Sequence, residues 1–390
     1  MRGKNNIAFV MPWHISERGG GAEVQTFYLS VELANRGYDV NYICQTNDIN
    51  KAGSSEVINH VKIYWLKASG RFPWLDQRKY IAPLNEINPD LIIQRLSSNV
   101  SYGIGKYCRN RKAKYCWICT DNVSPFNNFH VKRFQEKFSV KNTFLLKYAI
   151  FLTNAKIMDY YRNHGMKQVT YGFSQNEFQK KTIIFNFDID THKMITGHPI
   201  PENQCNSEKR FKFQTVLWCA NFGKHKRPEL FIELARRMQF SDLKFIMVGG
   251  HNNKDYVSDL LKGKPKNLFI TGQLPFKSAL DYFDRSSIFI NTSSPEGDGF
   301  PNTFVQAWLR GMPVISFGFN PDAIITKNKL GFNVESLDEG IEKLKSIMSS
   351  YLVYKTISDN AYNYGCKNHS IKVMTDNFLN IIKNESSTLS

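Results

Sequence analysis

Ser293-Ser294-Pro295-Glu296-Gly297-Asp298-Gly299-Phe300-Pro301-Asn302-Thr303-Phe304-Val305-Gln306-Ala307-Trp308 is the stretch around which the fold is read. The apolar run Ile288-Phe289-Ile290 feeds into it, and Gly311 and Pro313 close it. The pattern predicts a strand, a small acidic glycine-rich loop, and a helix over 302–310. Glycines let a ligand approach the backbone, and a helix start offers free N–H groups. Together they suit a ligand with hydroxyls at one end and phosphate at the other.

Outward from that stretch, strands and helices alternate. Apolar runs at 6–11, 40–44, 61–66, 91–94 and 115–119 read as strands, and 23–36 and 102–111 read as helices. A second series runs through strands at 215–219, 244–249, 268–272, 288–291 and 314–316, with helices at 229–238 and 276–286. Alternation of this kind predicts parallel, doubly wound sheets. The fold class expected is α/β, with two Rossmann-like domains facing each other across a cleft and a C-terminal helix that returns to the N-terminal domain. The expected boundaries are 1–197, a proline-broken linker at 198–212, a second domain at 213–368, and a helix and tail at 369–390.

The chain has 390 residues, enough for two ordinary domains. No apolar run reaches the roughly 18 residues of a membrane span. The sequence enters Ile7-Ala8-Phe9-Val10 with no signal-peptide pattern, so a cytoplasmic location is expected, with contact at the inner membrane face. Seven scattered cysteines do not form a disulfide framework. Cys116 and Cys119 form a C-x-x-C without a second pair, so no metal site is expected. The net charge is +17. No nucleic-acid motif accompanies it, and an anionic membrane, a phosphate-bearing substrate or a generally basic, inert surface accounts for it. The segment 127–166 is both basic and aromatic, which suits either solvated helices or a bilayer surface.

Three loops carry candidate chemistry. Gly19, Gly20 and Gly21 lie between the first strand and the first helix, where backbone N–H groups can face a phosphate or sugar. They do not spell the dinucleotide fingerprint G-x-G-x-x-G. Asn221-Phe222-Gly223-Lys224-His225-Lys226-Arg227-Pro228 places three cations between a strand and a helix. Cations at a helix start oppose its dipole, and a bound anion would relieve this. In the third loop, Glu296 and Asp298 can accept hydrogen bonds from sugar hydroxyls, and Gln306 can reach a ribose.

The last two loops resemble the donor site of the retaining glycosyltransferases of the large family four, the group 1 glycosyl transferases. The resemblance extends to Gly19–Gly21, to Gln175 through Gln179 and to the domain order, and so spans nearly the whole chain. It implies the GT-B fold and metal-free transfer of a sugar from a nucleotide sugar, a UDP- or GDP-sugar co-substrate, with no other cofactor. The implied acceptor is a glycan or lipid-linked oligosaccharide in surface polysaccharide synthesis, with no nucleic-acid partner.

The family's donor signature has two acids separated by seven residues. Asp298 falls at the first position, Gln306 at the second, and Glu296 just outside. Gly299, Phe300, Pro301, Asn302 and Thr303 lie between them as donor-binding backbone. Of the family's diphosphate Arg and Lys, Lys226 matches the Lys, Asn221 stands at the Arg position, and Lys224 can supply the missing charge. A His expected after a late N-domain strand is absent, and Asp121 is the nearest candidate. The implied mechanism is retention through a dissociative transition state. Lys226 and the Gly19–Gly21 loop stabilise the leaving diphosphate, whose oxygen takes the acceptor's proton. Two other readings fit: a non-catalytic glycosyltransferase-like subunit, given Asn221 and Gln306, and a nucleotide-sugar epimerase.

Overall fold

The computed structural model describes residues 6–70, 72–138, 145–202, 206–251, 253–295 and 298–388. The chain divides into two compact units, Met1–Ile195 with Met374–Ser390, and Thr196–Val373.

The first unit holds β1 (Asn6–Trp13), β2 (Asp39–Thr46), β3 (Ser55–Ile58), β4 (Val61–Lys67), β5 (Leu91–Arg95), β6 (Lys114–Ile118), β7 (Tyr171–Ser174) and β8 (Thr191–Lys193). They form one sheet in the order β3-β4-β2-β1-β5-β6-β7-β8. All described pairings are parallel except that of β3 with β4. That pair is a hairpin turning at Asn59 and His60, whose φ values of 49° and 65° give the backbone twist that two-residue hairpins need. The polar edge strand β3 was not foreseen, because neither turn residue is a glycine. The helix Ile371–Thr388 joins this unit from Met374 onward. There Arg36 Nη1 lies 2.5 Å from Asp376 Oδ1, and Phe378 packs on Phe173. The expected return of the C-terminal helix is therefore observed.

The second unit holds β9 (Thr215–Cys219), β10 (Lys244–Val248), β11 (Leu268–Gly272), β12 (Ile288–Asn291), β13 (Val314–Phe317) and β14 (Gly331–Val334). The order β11-β10-β9-β12-β13-β14 is wholly parallel. Because side chains alternate along a strand, this sheet feeds two apolar layers. Val216, Trp218, Ile288 and Ile290 pack with Phe231 and Leu234 of the helix Pro228–Arg237. Leu217 and Phe289 pack in the opposite layer with Phe304 and Trp308 of the helix Asn302–Trp308. The described residues of the stretch read as a linker, 198–202 and 206–212, belong to this unit. The helix Ser207–Lys212 is capped by Asn206, and its buried Arg210 donates to the carbonyls of Phe283 and Ser286 at 2.8 and 2.7 Å. The helix Lys254–Leu260 occupies what reads as a polar loop; Asn253 caps it by accepting from the Tyr256 N–H.

Both sheets reverse their winding next to a central strand, at β1/β5 in the first unit and at β9/β12 in the second. In open α/β sheets, ligand crevices lie beyond the carboxyl ends of strands at such switch points. The loops that carry Gly19–Gly21, Lys226 and Asp298 follow β1, β9 and β12.

Candidate active site

In the second unit the loops after β9 and β12 are tied together. Ser294 N–H donates to the His225 carbonyl at 2.7 Å, and Thr292 Oγ1 donates to that of Lys226 at 2.5 Å. Trp218 Nε1 donates to Thr292 Oγ1 at 2.8 Å, fixing the junction to the core. Arg227 adopts φ 46° and ends the short turn before Pro228. Its guanidinium donates to the carbonyls of Thr292, Ser293 and Phe317. It is therefore a structural clamp, although in the sequence it groups with the anion-facing cations.

Across this frame Lys226 Nζ donates to both Asp298 oxygens, at 2.7 Å to Oδ1, and lies 3.4 Å from Ser293 Oγ. The two side chains keep 19% and 18% of their exposure, enough to meet a ligand and too little for water to neutralise them. Burial by itself would raise the Asp298 carboxyl. The charge and hydrogen bond of Lys226, with the Ser293 hydroxyl, outweigh it and hold the group below the ordinary aspartate value.

The remaining predicted residues of this unit cluster unevenly. Asn221 and Lys224 are exposed, and neither touches Asp298 through a described hydrogen bond or ion pair. Gly299, Phe300 and Pro301 are buried. Phe300 stacks on His369 with centroids 5.3 Å apart. Asn302 Oδ1 lies 3.1 Å from Nε2 of His198, a buried imidazole whose pKa desolvation lowers to about 3. Thr303 is half-buried. Gln306 is buried in the first turns of its helix. Glu296 and its neighbour Gly297 lie outside the described residues.

The first unit presents a different set. Gly19, Gly20 and Gly21 follow β1, and Gly20 occupies the N-cap of the helix Gly21–Asn35 without a side-chain cap. A Cβ on Gly20 would lie 2.3 Å from Glu23 Oε2, so the glycine gives that side chain its room. Glu23 is buried, and desolvation raises its carboxyl against its backbone hydrogen bond, Arg18 and Arg95. Arg95, at the end of β5, is 2% exposed, and burial lowers its guanidinium to about 10. Among the described residues its Nε and Nη1 have no hydrogen-bond partner. Sequence reading passed over Arg95 because it sits in an apolar strand pattern; a cation closing such a strand was the available signal.

Asp121 follows β6. Its carboxylate accepts from the N–H groups of Val123 and Ser124 at 2.9 and 2.7 Å and sits 3.5 Å from Arg133. Next to it, Asn122 Oδ1 accepts from Asn176 and Gln179, so the Gln175–Gln179 segment is held by mutual amide contacts. Cys116 and Cys119 are buried free thiols. Among the described residues no cluster of His, Cys, Asp and Glu could hold a metal ion, and no helix is long and apolar enough to cross a membrane.

Residues 213–350 match the family described as glycosyl transferases group 1. A curated relative, the poly(ribitol-phosphate) alpha-N-acetylglucosaminyltransferase of Staphylococcus aureus strain COL, is 22% identical over 216 residues. That alignment covers 53% of this chain and 42% of the relative's length. Among solved structures, sucrose-phosphate synthase of Thermosynechococcus elongatus superposes with a TM-score of 0.73 at 12% identity, covering 98% of this chain and 100% of that one. Anabaena HepE in complex with UDP-glucose gives 0.70 at 14% identity, covering 97% and 99%. At these identities the structural likeness is one of fold. The architecture is the two-sheet GT-B type, and the similarity to the group 1 glycosyl transferases is carried by residues 213–350.

Proposed function

We propose, from this relationship to the group 1 glycosyl transferases, that the chain moves a sugar with retention from a UDP- or GDP-sugar to a glycan or lipid-linked acceptor. The observation that supports it most is the Lys226–Asp298 pair, set between the two loops that flank the β9/β12 switch point. A half-buried ammonium needs a counter-charge. Asp298 supplies it when no ligand is bound, and a donor diphosphate can share it as negative charge develops on the leaving group. Asp298 then remains free to accept a hydrogen bond from a hydroxyl of the transferred sugar.

Gln306 and Asn302 lie one helix turn apart, and the Gln306 amide is the candidate ribose partner. Lys224, exposed on the same turn as Lys226, is the candidate second cation for the diphosphate. The protein's contribution is positioning and charge neutralisation. In the proposed retaining step the anomeric C–O bond breaks to the diphosphate. The acceptor oxygen bonds to the same face, and its proton passes to a leaving diphosphate oxygen.

The Staphylococcus relative acts, by its name, on poly(ribitol phosphate). An acceptor bearing repeated phosphates also fits a chain of net charge +17, which would concentrate a polyanion by long-range attraction. A cytoplasmic site of action, at the inner membrane face, belongs to the same reading.

The test is a panel of UDP- and GDP-sugars in thermal-shift and turnover assays, followed by determination of the product anomer. A ligand bound only by the native state raises the melting temperature. The reading requires one donor to do so, turnover of that donor to depend on Lys226, and the product to keep the donor's anomeric configuration. Binding without turnover in the presence of phosphate-bearing acceptors would favour the non-catalytic subunit.

A further inference from the structure

The helix Leu145–Met166 is apolar on two faces. Its inner face is fully used. Ala155, Asp159 and Arg162 are buried, and Asp159 accepts from the N–H groups of His130 and Val131 at 2.8 and 3.1 Å. Phe151 packs on Phe138, and Tyr148 on Phe134. A Cβ on Gly165 would lie 2.1 Å from the Ser101 backbone, so the helix end is pressed against its neighbour.

The outer face reads Leu146, Ile150, Thr153, Ile157, Tyr160, at steps of four and three residues. Leu146 is 64% exposed, Tyr160 59% and Ile150 41%, and Leu145 beside them reaches 71%. A helix on a protein surface ordinarily turns polar residues to that side. Along the stripe runs an apolar groove of about 310 Å³, between Phe72 and Trp74 on one wall and Ala149, Ile150, Thr153 and Ile157 on the other. Trp74 donates its indole N–H to Asn154 Oδ1 at 2.8 Å, which pairs two of the polar atoms at the groove.

Charge indicates what covers this face. At about 100° per residue, Lys147 and Lys156 flank the stripe on opposite sides, and both are exposed. The helix's single acid, Asp159, points inward. Apolar residues edged by lysines, with no anion among them, match the layering of a bilayer interface. The apolar side chains enter the acyl boundary while the lysine heads remain at the phosphates. A second copy of the chain would instead bring lysines against lysines.

We propose that the outer face of the helix Leu145–Met166, with the groove beside Phe72 and Trp74, is the docking surface of this protein for an anionic lipid bilayer. It rests on the inner-membrane placement in the proposed function, and because no sugar nucleotide enters its test, failure of the docking surface and failure of the transfer reaction are told apart.

The experiment is co-sedimentation of the purified full chain with vesicles of phosphatidylglycerol and phosphatidylcholine, and with vesicles of phosphatidylcholine alone, at low and high salt. The chain is expected to bind the anionic vesicles, to release with salt, and to bind the neutral ones far less. Lys147→Gln and Lys156→Gln should each weaken binding about fivefold. Leu146→Glu with Ile150→Glu should weaken it more than tenfold, with the melting temperature unchanged because both positions are exposed. Equal binding to neutral vesicles overturns the proposal. So does loss in the lysine variants alone, which is general adsorption of a basic protein. Light scattering that finds a dimer split by the glutamate variants assigns the face to a second copy and rejects the membrane.

Discussion

The two units share a sheet plan and differ in what they place at its switch point. In the second unit the loops after β9 and β12 meet in a matched ion pair, with Lys226 Nζ 2.7 Å from Asp298 Oδ1, and the carbonyls of His225, Lys226, Thr292 and Ser293 accept from Ser294, Thr292 and Arg227. In the first, the loop after β1 offers glycines and an uncapped helix start, and the buried charges Glu23 and Arg95 form no ion pair within 4 Å among the described residues. One site is closed on itself and preorganised around a charge. The other holds charge without pairing it. Preorganised charge suits stabilisation of a developing anion. Open backbone with adaptable side chains suits recognition of a variable group.

Several measurements would break or sharpen this contrast. The largest effect is expected at the pair. Lys226→Ala should lower kcat/KM for the nucleotide sugar about 10²–10³-fold, whereas Asp121→Asn in the first unit should lower it far less, because that carboxylate is committed to two backbone N–H groups. Equal losses in steady-state kinetics would place the chemistry in both units alike.

Next in size is packing. Gly165→Ala must displace the Ser101 backbone and should cost about 3 kcal/mol in denaturant unfolding. Gly19→Ala, with nothing within 4 Å of a new Cβ, should cost little in stability.

Both units should weaken in acid, through buried neutral histidines, His14 in the first and His198 in the second. His14, boxed by Phe27, Tyr42 and Trp65, has its pKa lowered to about 4, chiefly by desolvation. Its unfolded form binds a proton first, so its neutral packing stabilises fully above about pH 6.5. That contribution shrinks as pH falls toward 4, by at most about 1.4 kcal/mol per pH unit. His14→Gln should flatten that limb of a stability–pH curve. Asp298 has a lowered pKa, so its contribution is present above the ordinary aspartate value and is lost as pH falls through its folded value. Asp298→Asn should lower stability above the ordinary aspartate value and flatten the curve below it. If His14→Gln leaves the curve between pH 6.5 and 4 unchanged, His14 does not carry the acid sensitivity.

The smallest effect is expected at Asn302→Ala. It removes the 3.1 Å contact with His198 and should cost about 1 kcal/mol in thermal unfolding.

Much of this contrast is legible in the sequence because strand, loop and helix follow from local pattern. Buried parallel strands need continuous apolar runs such as Ile7–Met11 and Ile288–Ile290, and the glycines and prolines that end each element act on their own backbone. The order of strands in each sheet, and the neighbourhood of residues 226 and 298, are not local properties. The hairpin at Asn59–His60 was missed because its left-handed turn is imposed on residues that only tolerate it. The helix Ser207–Lys212 was missed because its main anchor is a tertiary one, Arg210 on two distant carbonyls.

The sequence by itself determined the α/β alternation, the two-sheet plan and the loops that carry Gly20, Lys226 and Asp298. Only the tertiary structure decided that Lys226 pairs with Asp298, that Arg227 is a clamp, and that Arg95 is a buried cation. Side-chain partners and desolvation depend on atoms brought together across 65 or more residues, and no periodicity along the chain encodes that.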